Sequence, residues 1–280
     1  RRLIPGLLAG LLVLATPIRA KVPDTADSLT VLSWGGAYEH AQRRALFTPF
    51  TEAHDVPVAV DSYNGGLMEL RQAVAENDVP WDVLDMTLGR CFISHSIFAT
   101  VVAYRRDAFP GERPTRIADL FDQQRFPGPR ALQRTPAANL EWALLAYRVP
   151  REELYRLLST RRGLDLAFAR LQGIDKLHWW EAGETPVRLL EEGQVVMASG
   201  YNGRFFAAMV ERDLPIEILW DGQLQEHETW AIPRGAPNPE AAQTFIRFAT
   251  TSERQVELAR HIPYGPTRRS AAMQVTTHRD

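Results

Sequence analysis

The spacing of apolar and polar residues predicts alternating strands and helices in the first third of the chain. Strand-like segments at residues 29–33, 56–60 and 81–86 are separated by segments with a helical apolar stripe. Strands connected through helices usually pair in parallel with right-handed crossovers. We therefore expect a parallel α/β unit in this part of the chain.

The same reasoning predicts a second α/β unit between residues 105 and 225. Its expected strands are 130–133, 174–180, 195–199 and 216–220. A continuous apolar run at 97–104 precedes this unit, and a strand at 229–233 follows it before two final helices. We expect two α/β lobes joined by extended crossings near residues 102–105 and 226–230.

The first 20 residues have the pattern of an export signal. Arg1 and Arg2 precede an apolar run at residues 3–15, and Ala20 supplies a small residue at a cleavage site. This run is short for a helix that spans a bilayer, and a short membrane anchor is the alternative. The pattern predicts an exported, periplasmic protein.

Composition narrows the classes of function. Without residues 1–20 the chain keeps 29 basic and 34 acidic residues, so its net charge is negative. Such a protein is a poor nucleic-acid binder and suits a cationic solute better. Cys91 is the only cysteine, which excludes an internal disulfide and a cysteine-based metal cluster. We expect no metal, no cofactor and no catalytic residues, because the sequence contains none of the common catalytic motifs.

Aromatic residues next to carboxylates at predicted strand ends are the main chemical signal. Trp34 and Tyr38 flank a two-glycine turn after the first strand, at the edge where open α/β sheets bind ligands. Further members of this set are Glu141, Trp142, Trp179, Trp180, Glu181, Tyr201, Trp220, Asp221, Glu228 and Tyr264. Aromatic faces and carboxylates together bind ammonium groups. The alternative for each ring is packing in the core, and only one of Trp179 and Trp180 is expected to face the cleft.

Nine segments between residues 29 and 272 carry a family resemblance through their order and spacing. They are TVLSWGGAYEHA, SYNGGLMEL, WDVLDM, VVAYRRDAFPGERPTRIADLFD, NLEWALLA, WWEAGE, GQVVMASGYNGRFF, LWDGQLQEHETWAIPRGAPNPEAA and RHIPYGPTRRSA. They resemble the extracytoplasmic solute-binding proteins of ABC transporters, most closely the spermidine/putrescine type. The chain departs from that type in its short segment between Met86 and Ile97, in Glu184 where Gln is expected, and in Glu228 where Asp is usual.

The resemblance implies an α/β, two-lobed periplasmic-binding-protein-like (type II) fold with a hinged inter-lobe cleft. Lobe 1 would comprise residues 28–103 plus 228–280, and lobe 2 residues 104–227. The implied function is capture of a polyamine such as spermidine or putrescine, and its delivery by a monomer to a membrane permease. The expected ligand-binding residues are Trp34, Tyr38, Glu141, Trp180, Glu181, Tyr201, Glu228 and Tyr264.

Three further functions stay open. The same fold would bind a zwitterionic amino acid, a GABA-like solute, an opine or a carboxylate if Arg204 faces the cleft. An enzyme on this architecture would need a nucleophile and a base, for which Cys91 and His95 are the nearest pair. A metal-carrying binding protein would require two tyrosines and a histidine to converge.

Overall fold

The computed structural model describes residues 28–63, 67–87 and 92–275. The predicted export signal and Cys91 lie outside the described residues. The strands are β1 (Leu29–Ser33), β2 (Val58–Ser62), β3 (Val83–Met86), β4 (Ile93–Arg105), β5 (Arg130–Gln133), β6 (Leu177–Trp180), β7 (Met197–Tyr201), β8 (Ile216–Ala231) and β9 (Gly265–Pro266).

Helices cover most of the segments that the apolar stripes indicate. They are α1 (Gly36–Gln42), α2 (Thr48–His54), α3 (Leu67–Glu76), α4 (Asn139–Ala146), α5 (Leu154–Leu158), α6 (Arg161–Gln172), α7 (Thr185–Glu191), α8 (Asn202–Glu211), α9 (Pro239–Ala249), α10 (Ser252–His261) and α11 (Arg269–Ala272). A π-helical turn, Arg43–Phe47, joins α1 to α2, and 3-10 turns occupy Ile117–Phe121 and Arg151–Glu153. In the described part of the chain, no helix combines the length and the apolar character needed to cross a bilayer.

One mixed sheet runs through the molecule in the order β2-β1-β3-β8-β4-β7-β5-β6, with β9 beside β4. Strand β1 pairs in parallel with β2 and β3, and β5 pairs in parallel with β6 and β7. Strand β8 runs antiparallel to both β3 and β4. The α/β class and the parallel pairing predicted for the first strands are therefore confirmed.

Strand β8 differs from the prediction. The sequence indicated two strands, 216–220 and 229–233, with an extended crossing between them, but the structure has one strand from Ile216 to Ala231. The polar residues in its middle pair antiparallel with β4, from Thr100 opposite Leu224 to Ser96 opposite Glu228. Backbone pairing holds this polar segment in the sheet although it lacks the apolar alternation of a half-buried strand.

Buried side chains form clusters of different chain origin. One cluster draws on β1, α1, α2, α9 and α10 around Phe50 and Phe245, and a smaller one surrounds Trp81. Two further clusters draw on residues 99–219, around Trp142 and around Trp180. The lobe boundaries expected from the sequence stay a prediction, and this division of the buried clusters is the observation that supports them.

Candidate functional site

A cavity of about 1100 Å³ collects most of the residues that the sequence singled out. Its wall is formed by the loop after β1, the segment between β5 and α4, the start of α8, and the polar middle of β8. Seven of the eight predicted ligand-binding residues line it: Trp34, Tyr38, Glu141, Glu181, Tyr201, Glu228 and Tyr264. The strand-end pattern therefore located a shared surface, and the role of each residue in binding stays a prediction.

Trp180 is the exception, since it lies in the core behind the wall. Its side chain is 2% exposed, and its Nε1 donates a hydrogen bond to Ser199 Oγ at 3.1 Å. Its ring packs edge to face on Tyr201, with 6.0 Å between the ring centroids. Trp179, on the opposite face of strand β6, is half exposed. Among the described residues, neither of these tryptophans lines the cavity, because one points into the core and the other to solvent.

Arg204 is the residue on which the zwitterionic alternative depends. It lies in the first turn of α8, is 5% exposed, and forms part of the cavity wall. Its Nη2 donates to the backbone oxygens of Trp34 and Gly35 at 2.9 and 3.2 Å, and its Nη1 pairs with the carboxylate of Glu184. Within the described residues its buried Nε has no partner. Burial lowers the pKa of Arg204, whereas Tyr264 and Glu228 raise it.

Two glycines make room for this guanidinium. Gly36 has a φ of +60°, and a Cβ there would lie 2.6 Å from Arg204 Nη1. A Cβ at Gly183 would lie 3.0 Å from Arg204 Cζ. Contacts of that length force a neighbour to move, so only residues without a side chain permit this approach. Gly36 of the sharp turn after β1, together with Gly183, therefore leaves the space that Arg204 occupies.

An acidic part of the wall lies on β8 and α4. Glu226 is half-buried on β8 and accepts a hydrogen bond from Thr100 Oγ1 at 2.5 Å. Burial raises the pKa of Glu226, and the nearby charge of Glu141 raises it further. Glu141 has one buried carboxylate oxygen without a partner among the described residues. Two carboxylates that face one cavity, one of them with an unused oxygen, favour an ammonium group as ligand.

Sequence reasoning named Glu228 but missed Glu226, two residues earlier in the segment that it assigned to a crossing. The spacing could have indicated Glu226, because residues two positions apart, such as Glu226 and Glu228, lie on the same face of a strand. Arg204 was named only for a zwitterionic or carboxylate ligand, and Gln133 was missed. Gln133 lines the cavity and donates from Nε2 to Tyr201 Oη at 3.1 Å.

Glu228 lies deeper than Glu226, at 4% exposure. It accepts a hydrogen bond from Trp34 Nε1 at 3.2 Å. Burial raises the pKa of Glu228 strongly, and the charge of the buried Asp85 raises it further. The neutral carboxyl is thereby favoured, so Glu228 is better suited to orienting Trp34 than to balancing the charge of an amine.

Aromatic rings form the apolar part of the wall. Tyr264 lies 5.3 Å from Tyr38 and 5.6 Å from Phe98, measured between ring centroids. Tyr201 meets Phe98 edge to face at 5.5 Å. Phe98 lines the cavity with the three tyrosines. These rings offer a surface for methylene groups between the charged parts of the wall.

The metal-carrying alternative and the enzyme that would use Cys91 and His95 stay predictions. His95 lies beside the hydroxyl of Tyr38, whose ring packs on that of Tyr264. No group of three or more His, Cys, Asp or Glu among the described residues is arranged to hold a metal ion. His95 is 1% exposed, lies 3.5 Å from the Tyr38 hydroxyl, and stacks on Trp230 at 4.2 Å between centroids. It is thus enclosed behind the cavity wall, and its suggested partner Cys91 lies outside the described residues.

Comparison with known proteins shows the family to which the chain belongs. Residues 97–280 match the family described as Bacterial extracellular solute-binding protein. The chain is 34% identical to the Gamma-aminobutyric acid-binding protein of Pseudomonas aeruginosa, over 86% of this chain and 77% of that protein.

Solved structures share the fold. The crystal structure of the PBP MotA from A. tumefaciens B6 in complex with glucopine has a TM-score of 0.82 at 25% identity, covering 89% of this chain and 86% of that one. The structure of the Atu4243-GABA receptor has a TM-score of 0.74 at 25% identity, covering 89% and 85%. The periplasmic-binding-protein-like fold implied by the resemblance is confirmed, and the chain belongs to the bacterial extracellular solute-binding protein family.

Proposed function

We propose that this protein is the periplasmic substrate-binding component of an ABC importer, and that it captures a small zwitterion such as GABA. The observation that carries the proposal is the presence of Arg204 and the carboxylates of Glu141 and Glu226 on the wall of one cavity. A zwitterionic amino acid presents one group for each sign of charge. Delivery to a membrane permease, and release by opening of the cleft, belong to the same proposal.

The carboxylate of the ligand would bind at Arg204. Its guanidinium is already desolvated by the protein, so a charge-assisted hydrogen bond there is stronger than one in water. The unpartnered Nε supplies one donor for such a bond. Arginine suits this role because its charge persists when it is buried.

The ammonium group would bind at Glu226 and Glu141, with the aromatic wall beside the methylene chain. Burial, and then the charge of Glu141, make the charged form of Glu226 less favourable and raise its pKa. A bound ammonium relieves that repulsion and offers hydrogen bonds to the unused oxygen of Glu141. The gain in binding free energy is therefore concentrated at the position of the ammonium group, beside Glu226 and Glu141.

The polyamine specificity expected from the sequence has less support than specificity for a zwitterion. The names of a relative and of a similar solved structure refer to GABA. Arg204 on the cavity wall also bears on the choice, because a second ammonium group near a guanidinium is repelled. A GABA-like zwitterion therefore takes the place of a polyamine as the proposed ligand.

Calorimetric titration of residues 21–280 with GABA and with putrescine tests the proposal. The two compounds have the same number of carbons and differ in one charged end. We expect GABA to bind at about micromolar Kd, near −8 kcal/mol, and putrescine to bind at least about tenfold more weakly. Equal binding, or tighter binding of putrescine, would contradict the proposal.

A further inference from the structure

The unusual feature of Arg204 is that a carboxylate of the protein itself already occupies it. Nη1 pairs with Glu184, and Nη2 donates to two backbone oxygens, so within the described residues Nε is the one guanidinium nitrogen left without a partner. A carboxylate binds arginine best through two parallel N–H donors. A ligand that takes this arrangement at Arg204 must therefore displace an existing partner.

The partners of Arg204 differ in how readily they leave. The backbone oxygens of Trp34 and Gly35 belong to the fixed turn between β1 and α1. Glu184 lies at the N-cap of α7, and its side chain is 58% exposed. An exposed carboxylate regains its hydration when it turns outward, whereas a displaced backbone oxygen in the wall loses its partner. Glu184 is the partner that can leave at the lowest cost.

Resting on the proposed function, we infer that Glu184 is an internal carboxylate that competes with the carboxylate of the ligand for Arg204. Its charge also balances that of Arg204, which weakens the attraction for a carboxylate and the repulsion of an amine. Glu184 thereby sets the preference of the site between amino acids and amines that lack a carboxylate. It is a specificity-determining residue although it is not among the described residues that line the cavity.

The test compares Glu184→Gln with the wild-type chain by calorimetric titration with GABA and with putrescine. Gln keeps the length of the side chain and one acceptor oxygen but removes the negative charge. We expect GABA to bind about tenfold more tightly, the scale of one charge-assisted interaction, and putrescine to bind no more tightly than before.

Glu191→Gln is the matched control. Glu191 lies at the end of α7, is not among the described residues that line the cavity, and pairs through its carboxylate with Arg212 at 3.2 Å, not with Arg204. This variant removes the same charge from the same part of the chain. We expect less than about a twofold change in GABA affinity, which separates competition at Arg204 from a general change in charge.

The outcomes separate this inference from the proposed function. If the wild-type chain binds GABA and Glu184→Gln binds it equally or more weakly, the inferred competition between Glu184 and the ligand is wrong. The proposed function then still stands. The same conclusion follows if Glu191→Gln strengthens GABA binding as much as Glu184→Gln does. If GABA binds to Glu184→Gln alone, the competition is supported. If neither chain binds GABA, the proposed function fails and this inference with it.

Discussion

Two buried arginines, Arg130 and Arg204, show how the protein treats the same side chain in two ways. Arg130 is fully buried on β5, and its three guanidinium nitrogens donate to the backbone oxygens of Leu120, Phe126 and Gly128. Burial lowers the pKa of Arg130 to about 10. Arg204 is almost as buried, but it keeps one nitrogen unpartnered among the described residues and borders a cavity.

Burial and a lowered pKa therefore do not by themselves identify a binding arginine. Both residues share these properties, and both accept the cost of desolvation. The two arginines differ in the partners of their guanidinium N–H donors. Arg130 directs every nitrogen to the segment between residues 120 and 128, so its role is to fix that segment. Arg204 has one nitrogen without a partner among the described residues, which supports its proposed role in binding the carboxylate of the ligand.

Replacing Arg130 should give the largest effect on stability. Arg130→Met removes donors from three backbone oxygens in a buried segment. We expect the free energy of unfolding to fall by roughly 3–5 kcal/mol in urea titrations. The matched variant Arg204→Met should lose clearly less free energy of unfolding. A larger loss of stability for Arg204→Met than for Arg130→Met would contradict this prediction.

Replacing Arg204 should give the largest effect on binding. We expect Arg204→Gln to weaken GABA binding by about a hundredfold, or about 3 kcal/mol, because two charge-assisted hydrogen bonds are lost. Arg134→Gln is the control, since Arg134 also lines the cavity but is 72% exposed and paired with Glu181. Calorimetry should show less than about a threefold change for that control. Similar losses in the two variants would mean that Arg204 acts only through general charge.

Removing the charge of Glu226 should have an intermediate effect and should depend on the ligand. Glu226→Gln is expected to weaken GABA binding by about tenfold, because the ammonium loses one charged partner. Butyrate keeps the carboxylate and lacks the ammonium, so its affinity should not fall. An equal loss for both compounds in competition titrations would place Glu226 outside the ammonium site.

The smallest effect concerns Glu228, which accepts a hydrogen bond from Trp34 Nε1 at the cavity wall. Its pKa is raised above the ordinary value of 4.5 by burial and by Asp85. The folded state therefore holds a proton that the unfolded chain releases, so this contribution to stability is present below pH 4.5 and declines as pH rises through the folded-state pKa. Glu228→Gln should flatten this decline in urea titrations. An unchanged slope would show that another group causes it.

The sequence predicted the architecture well where periodicity is strong. Strand β1, strand β5 and helix α4 follow from apolar spacing, and seven predicted site residues share the cavity. The continuous strand β8 could not be predicted from the sequence. Its polar middle is held by pairing with β4, and this long-range interaction does not show in the local pattern of apolar residues.

The errors at the site have the same origin. The burial of Trp180 depends on which face of β6 meets the helices, and a four-residue strand with two adjacent tryptophans does not specify that face. The pairing of Arg204 with Glu184 joins α8 to the start of α7, across 20 positions of sequence. Neither contact has a periodic signature, so composition and spacing indicate the kind of chemistry but not which side chains meet.

The indole of Trp34 has a consequence for spectroscopy. All seven tryptophans lie within the described residues, and of these Trp34 alone lines the cavity. Its Nε1 contacts Glu228, and its ring lies 4.8 Å from that of Tyr63. A solute that enters the cavity changes the polarity around one emitter, while the remaining tryptophans provide a constant background. The protein therefore contains an optical reporter of its own occupancy, which requires no dye or label.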